Sequence, residues 1–475
     1  MAQKFLGYHS EWNLGSPGGW VYQRMAQEVG SLGWSKIKKQ AKLDLDLDFD
    51  HPILDPVPNF AKLLFRAHMR NFAKREAFIA LVAEEETLDK VGENIRIVNY
   101  LNSPSAQRIA IGLGIPKVKA VLIAPTRLEL KDNKIFVGRE MVTAIFQDFN
   151  NRVIIKVSKT HNLKALLSAI KLGLVTNPRG MEPIGSKGVF EVLTGEHKDK
   201  LSQTTVQRTP WTRQFYPRKT QGPGGEQIQD LVQWAKDNWA NIILKPVHGY
   251  SGQGIIIGQK ETDVDGAIKR ALDAGDYIIQ QFIPIEIWTE QFPWIDRANK
   301  KLFIKSWQTD FRCFVTDVGL IGFVTRFGGI PTNVGSGGGV QCTAVLRSKI
   351  PLDQAVNQLN SAILNLGYEF INRLQHELDQ YSLKIGNVYL LGPLMNTLRP
   401  RLITEQHIVQ LKEYAENLWQ DALTLEKLWL EGKLSKFTQI SPEEERIAGL
   451  CPWQGKPALI AADGLFGFTE SPKCA

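Results

Sequence analysis

Apolar and polar positions change rhythm several times along the chain, and each change marks an element. Between 43 and 50 the run LDLDLDFD alternates strictly, which in a strand puts Asp44, Asp46, Asp48 and Asp50 on one face. That face suits a solvated edge whose charges discourage aggregation; a calcium loop would need a turn glycine and a closing glutamate, and has neither. Residues 59–86 read as a helix in which Lys62, Arg66, Arg70 and Lys74 recur every four positions, as on one solvated face. From 118 to 150 the pattern is that of strands: VKAVLIAP, then LEL and KIFVG around the polar turn KDNK, then MVTAIFQDFN. A helix follows near 162–171, then the short apolar stretch LGLVTNP. Residues 203–225 are rich in Thr, Pro and Gly and read as a loop, after which helix and strand alternate to about 346. From Pro351 the chain reads as mostly helical. There Ile408, Leu411, Ala415, Leu418, Ala422, Leu425 and Trp429 form a three-four packing seam, within a bundle or between two copies of the chain. The stretch AGLCPWQGKPALIAADGLFGF near the end has no evident pattern.

Composition narrows the class. The 475 residues suggest two or three domains, and 43% hydrophobic with 22% charged residues excludes disordered and fibrous chains. No apolar run is long enough to span a membrane, and the N-terminus lacks the basic-then-apolar order of a secretory signal. Cys313, Cys342, Cys451 and Cys474 lie far apart with no CxxC spacing, which points to a reduced, cytoplasmic setting. The net charge of +8 suits anionic ligands, yet no Lys/Arg block marks a nucleic-acid arm, so small phosphate-containing molecules fit better. His9, His51 and His68 show no metal spacing, His376-Glu377 lacks the second histidine of a zinc helix, and no GxSxG is present.

One segment carries candidate chemistry. In IILKPVHGYSGQGIIIG, residues 242–258, an apolar strand ends at Lys245-Pro246, a loop with Gly249, Ser251, Gly252 and Gly254 follows, and a second apolar strand begins. Glycines let backbone N–H groups approach phosphate oxygens, and the lysine adds charge at the same place. The loop is neither a Walker A motif nor a dinucleotide fingerprint, and a plain glycine-rich hairpin has the same pattern. Downstream come the strand YIIQQFI, then Asp310-Phe311-Arg312, then Thr325-Arg326-Phe327-Gly328-Gly329, and finally Thr332-Asn333 before a glycine run.

Each motif is weak alone, but the ordered set across 242–340 resembles the ATP-grasp superfamily, in which two α+β lobes hold ATP between them. The familiar form ends with a Glu-x-Asn pair that holds magnesium, and no such element follows Val340. Upstream, Asp148-Phe149-Asn150 offers an acid and an amide two apart, on one face if they lie in a strand; a turn at a strand end is the alternative. With Lys187 in the segment LGLVTNPRGMEPIGSKGVFEVL, the order is similar to the circularly permuted ATP-grasp group, to which glutathionylspermidine synthetases also belong. The implied fold class is mixed α+β and α/β: an N-terminal α/β domain over 1–115, an ATP-grasp core over 116–350 and a mostly helical region over 351–475.

The resemblance implies roles residue by residue. Lys187 and Lys245 would bind ATP phosphates, with the loop of Gly249, Ser251, Gly252 and Gly254 closing over them. Gln280, Gln281, Phe282 and Ile283 would form the hinge that reads adenine, and Glu286 would take the ribose hydroxyls. Arg312, Arg326 and Asn333 would be catalytic, with Ser336 to Gly339 as a further backbone nest. Asp148 and Asn150 would hold Mg2+, with a third carboxylate from Glu129 or Glu140. The implied activity is an ATP-dependent ligase joining a small carboxylate to an amine through an acyl phosphate, with no membrane or nucleic-acid partner and a homodimer left open. Two other functions fit the same cleft: a phosphotransferase, and a nucleotide-binding partner protein without catalysis.

Overall fold

Two strands from opposite ends of the chain, Tyr8–Asn13 and Ile460–Leu465, pair antiparallel and complete the largest sheet. The computed structural model describes residues 7–249, 252–330, 332, 334, 337–389 and 392–465. In that sheet the order is Tyr8–Asn13, Ile460–Leu465, Lys301–Thr316, Gly319–Gly328 and Gly339–Val340, and Thr289–Asp296 pairs the first half of Lys301–Thr316. Part of the patternless C-terminal stretch is therefore an inner strand.

Alternation assigns the two faces of this sheet. Phe311, Cys313, Val315, Phe323, Trp12, Ala462 and Ile460 join one core, which the helix Glu405–Leu430 closes with its seam residues. All seven seam positions are buried in that core, so the seam packs against the chain's own sheet. On the other face, Phe314, Val324 and Ala461 pack beneath the helices Trp20–Ala41 and Val57–Phe72. The remainder of that face carries charge.

The N-terminal part has a parallel sheet in the order Val118–Ile123, Ala77–Val82, Ala144–Gln147. Here the long helix expected over 59–86 is corrected. The helix Val57–Phe72 stops where Ala73 takes φ 54°, and AFIALV becomes a strand buried at every residue. A continuous apolar run belongs in a parallel sheet covered on both faces, and fits no single helix face. Residues 203–225 also depart from the loop reading. They hold the helix Gln203–Arg208, capped by Ser202, and the strand Thr212–Gln214. In LDLDLDFD only Leu47–Asp48 pairs as a strand, while Asp44, Asp46 and Asp50 are exposed.

A smaller antiparallel sheet, Ile256–Ile257, Ile242–Pro246, Tyr277–Gln281 and Thr212–Gln214, is backed by the helices Leu231–Asp237 and Val264–Ala274. Among the described residues no helix is long and apolar enough to cross a membrane. Leu418 sits fully buried in the middle of the seam. Leu418→Ala is expected to destabilise the chain by about 2–5 kcal/mol, read from denaturant unfolding; a loss below about 1 kcal/mol would show that the seam is not a tightly packed interface.

Candidate active site

Strand register gathers charged residues, two acids facing each other among them, on the second face of the large sheet. Glu11 lies opposite Asp463, Asp463 opposite Arg312, and Asp310 opposite Arg326. Arg312 grips Asp463 with a fork, Nε to Oδ1 at 2.6 Å and Nη2 to Oδ2 at 3.0 Å. Arg326 does the same to Asp310 at 2.8 and 2.6 Å, and its Nη2 also reaches Asp463 Oδ2 at 3.0 Å. Burial opposes the charge of Asp463, but Arg312 and Arg326 outweigh it and hold the carboxyl well below the usual range. The same network works in reverse on Arg326: burial lowers its pKa, and Asp310 and Asp463 raise it further.

Lys245 of the smaller sheet and Lys187, in the short helical turn Lys187–Val189 beside it, bring two buried lysines to the same place. Lys187 Nζ lies 3.2 Å from Glu11 Oε1 and donates to Gly249 O at 2.6 Å. Lys245 Nζ donates to Gln280 Oε1 at 2.7 Å, and Gln280 in turn donates to Thr212 Oγ1 at 2.9 Å. Burial pulls Lys245 down to about 8; Lys187 adds to that, while Glu11 and Asp463 oppose it. Residues predicted from separate motifs, Lys187, Lys245, Arg312 and Arg326, thus converge around Glu11 and Asp463.

Two glycines of the loop are in left-handed backbone conformations. Gly252 and Gly254 have φ of 76° and 71°, and a Cβ on Gly254 would lie 2.8 Å from Pro246 Cγ. Ser251, Asn333 and Ser336 lie outside the described residues. In the expected hinge, Phe282 and Ile283 are buried, and the N–H groups of Gln281 and Phe282 donate to Trp211 O and Asn241 O. Gln281 is exposed and points away from Lys245, as alternation with Gln280 requires, and Glu286 is exposed.

Asp148 and Asn150 are not joined in a strand, contrary to the expectation. The strand ends at Gln147, and Asn150 is the N-cap of the helix Asn151–Ser158, its Oδ1 accepting from Val153 N at 3.1 Å. An asparagine before an amphipathic helix does this because the first turn has unpaired N–H groups. Asp148 accepts from Asn94. Glu129 pairs with Lys131 on the hairpin, and Glu140 reaches Lys119 of the strand Val118–Ile123 at 2.9 Å, all at exposed positions.

Several site residues escaped the sequence reading. Glu11-Trp12-Asn13 is itself an acid and an amide two apart on a strand, with both side chains on the charged face. Its spacing was visible at the very start of the chain, ahead of a Gly-Ser-Pro-Gly-Gly run; Asp463 gave no such signal. Asn13 Nδ2 is buried with no hydrogen-bond partner among the described residues. No three His, Cys, Asp or Glu side chains are gathered as a ready metal cluster among the described residues.

Glu93 ties this site to the N-terminal part. Its carboxylate accepts from Gly19 N at 2.9 Å and Val21 N at 3.0 Å, at the start of the helix Trp20–Ala41. Next to it, Gly18 O accepts from Arg312 Nη1 at 3.1 Å. Burial pushes the Glu93 carboxyl up to about 7 against those two N–H groups, with the charge of Asp148 raising it and that of Arg312 lowering it. Burial likewise raises Asp148, to about 6.

No protein-family model matches the chain, and no curated protein matches it. Among solved structures it is similar to the D-alanyl-alanine synthetase A from Vibrio cholerae O1 biovar eltor str. N16961, at 12% identity and a TM-score of 0.24, covering 49% of this chain and 67% of that one. A likeness at that level carries no weight beside the geometry.

A carboxyl held above its ordinary 4.5 stabilises the fold while protonated, and that contribution is lost as pH rises from about 4.5 through about 7. Glu93→Gln stays neutral throughout. Its stability relative to the parent should therefore rise across that window, by on the order of 3 kcal/mol at most, in urea unfolding at a series of pH values. Parallel pH profiles for the two proteins would sink this reading of Glu93.

Proposed function

We propose that the chain is an ATP-dependent carboxylate–amine ligase with a circularly permuted ATP-grasp site. The observation that carries this reading is the convergence of Lys245 from the small sheet and Lys187 from the turn beside it with Glu11, Asp463, Arg312 and Arg326 from the large sheet. Two buried lysines suit nucleotide phosphates, and two guanidinium forks suit a carboxylate and a transferring phosphoryl group. The Glu-x-Asn that the family uses for magnesium is Glu11-Trp12-Asn13 on this reading, with Asp463 as its third ligand in place of Asp148 and Asn150. In a permuted chain such a strand stands at the beginning, and here it pairs with one from the far end.

The residues fit a metal and a nucleotide. Glu11 would supply a hard oxygen of the kind magnesium prefers, Asp463 would share one with its two arginines, and Asn13, on the same strand face as Glu11, would add its amide oxygen. Magnesium bound there would offset the charge of the terminal phosphates. Lys187 and Lys245 hold those phosphates, and the glycine loop between the strands of the small sheet keeps water from them. Arg312 and Arg326 orient the acceptor carboxylate in line with the γ-phosphorus and stabilise the charge that builds during transfer. The acyl phosphate formed in this way is attacked by an amine, phosphate leaves, and an amide results.

An assay with Mg·ATP and pooled acids and amines should release phosphate and yield a mass equal to acid plus amine minus water. Glu11→Gln should cut that turnover by about a hundred- to a thousand-fold. Asn150→Ala should keep it while losing about 1 kcal/mol of stability as a helix cap. The reverse pattern would return the metal to Asp148 and Asn150, and a phosphorylated product without condensation would make the enzyme a phosphotransferase. Lys245 gives an independent check. Because its folded pKa is about 8, ATP affinity should weaken as pH rises past that value. Lys245→Arg, which stays charged, should remove the dependence in a binding titration.

A further inference from the structure

On the side of the small sheet away from Lys245, the chain forms an open pocket of about 240 Å³. Trp211 and Arg213 flank it from the edge strand, Thr194, Lys198 and Thr209 come from the helical segments before that strand, and Gln281 closes it at the hinge end of Tyr277–Gln281. No aspartate or glutamate lines it.

Arg213 is 4% exposed, yet its acceptors are all neutral. Nε donates to Thr220 Oγ1 at 3.0 Å, and Nη1 to Thr212 O at 2.7 Å and Thr194 Oγ1 at 3.0 Å. Nη2 has only a 3.4 Å contact to Thr194 O among the described residues. Glu191, the carboxylate whose charge reaches Arg213, is already committed to Arg218 at 2.5 Å and to Gln214 N at 2.6 Å. A buried guanidinium without a carboxylate is expensive, and Lys198 places a second cation at the same pocket.

We propose that this pocket binds a small dianion, a phosphate or dicarboxylate group, held by the guanidinium fork of Arg213 and the ammonium of Lys198. The threonine hydroxyls and the Gln281 amide complete its hydrogen bonds. Because Gln281 N donates to Trp211 O at 2.9 Å, the occupant sits where the hinge joins the edge strand. The site lies on the face of the sheet away from Lys245 and does not rest on the ligase reading.

The test titrates the full chain with inorganic phosphate, and separately with malonate, against chloride of equal ionic strength, by calorimetry and tryptophan fluorescence. Saturable binding of either probe is expected, with the stronger one telling phosphate from carboxylate. Binding should weaken at least about tenfold in Arg213→Gln and in Lys198→Glu, and stay within about twofold in Lys245→Ala. Lys198 is exposed, so its variant folds whatever Arg213→Gln does. Loss in Lys245→Ala with retention in Lys198→Glu would place the anion in the nucleotide cleft and overturn the proposal. Failure of both probes to saturate by about 10 mM, a free energy near 3 kcal/mol, would overturn it as well.

Discussion

Asp463 accepts from two arginines on a neighbouring pair of strands, and the organisation of the site depends on that one buried carboxylate. Removing a charge from water costs several kcal/mol, which is regained only when geometry is good and every lone pair is used. Here both oxygens are engaged, and the second arginine is held in turn by Asp310. Arg312 and Arg326 therefore stand at fixed positions before any ligand arrives, so little entropy is lost in ordering them around an anion.

Register is what keeps those groups on one face. A slip by a single residue in Lys301–Thr316 would turn Asp310 and Arg312 into the core under helix Glu405–Leu430 and expose Phe311 and Cys313. The hydrophobic seam of that helix, packed on the opposite face of the sheet, thus positions the charges by fixing which face is dry. Glu93 performs a related task from the other side: it holds the turn whose carbonyl receives Arg312. The chemistry is distributed over elements that start at residue 8 and end at residue 465, and no contiguous segment contains it.

The small sheet has charge on both sides, with different consequences. Toward the large sheet, Lys245, with Lys187 from the neighbouring turn, faces the carboxylates Glu11 and Asp463, so the cations are partly balanced. Toward the outer pocket, Arg213 has carbonyl and hydroxyl acceptors only, because Arg218 has taken Glu191. One sheet of four strands thereby presents one partly neutralised cationic site and one that is left open.

Much of the small sheet could be read locally. Lys245 at a strand end, glycines at positions with positive φ and the alternation of Gln280 with Gln281 all follow from short-range geometry, as do the strands of 118–147 and the apolar seam of 408–429. AFIALV was misread because a continuous apolar run has no period, and only burial on both faces shows it to be a strand. Asp148 and Asn150 have the right spacing for a shared face, but the strand ends at Gln147, before either of them. Glu11 and Asn13 have the same spacing and keep it, since a partner 450 residues away extends their strand. Sequence by itself determined which residues are charged, which faces are apolar and where the backbone needs glycine. Only the tertiary structure decided which of several equivalent acids join the arginines, because pairing between distant strands is set by burial of whole sheet faces and leaves no mark at any one position.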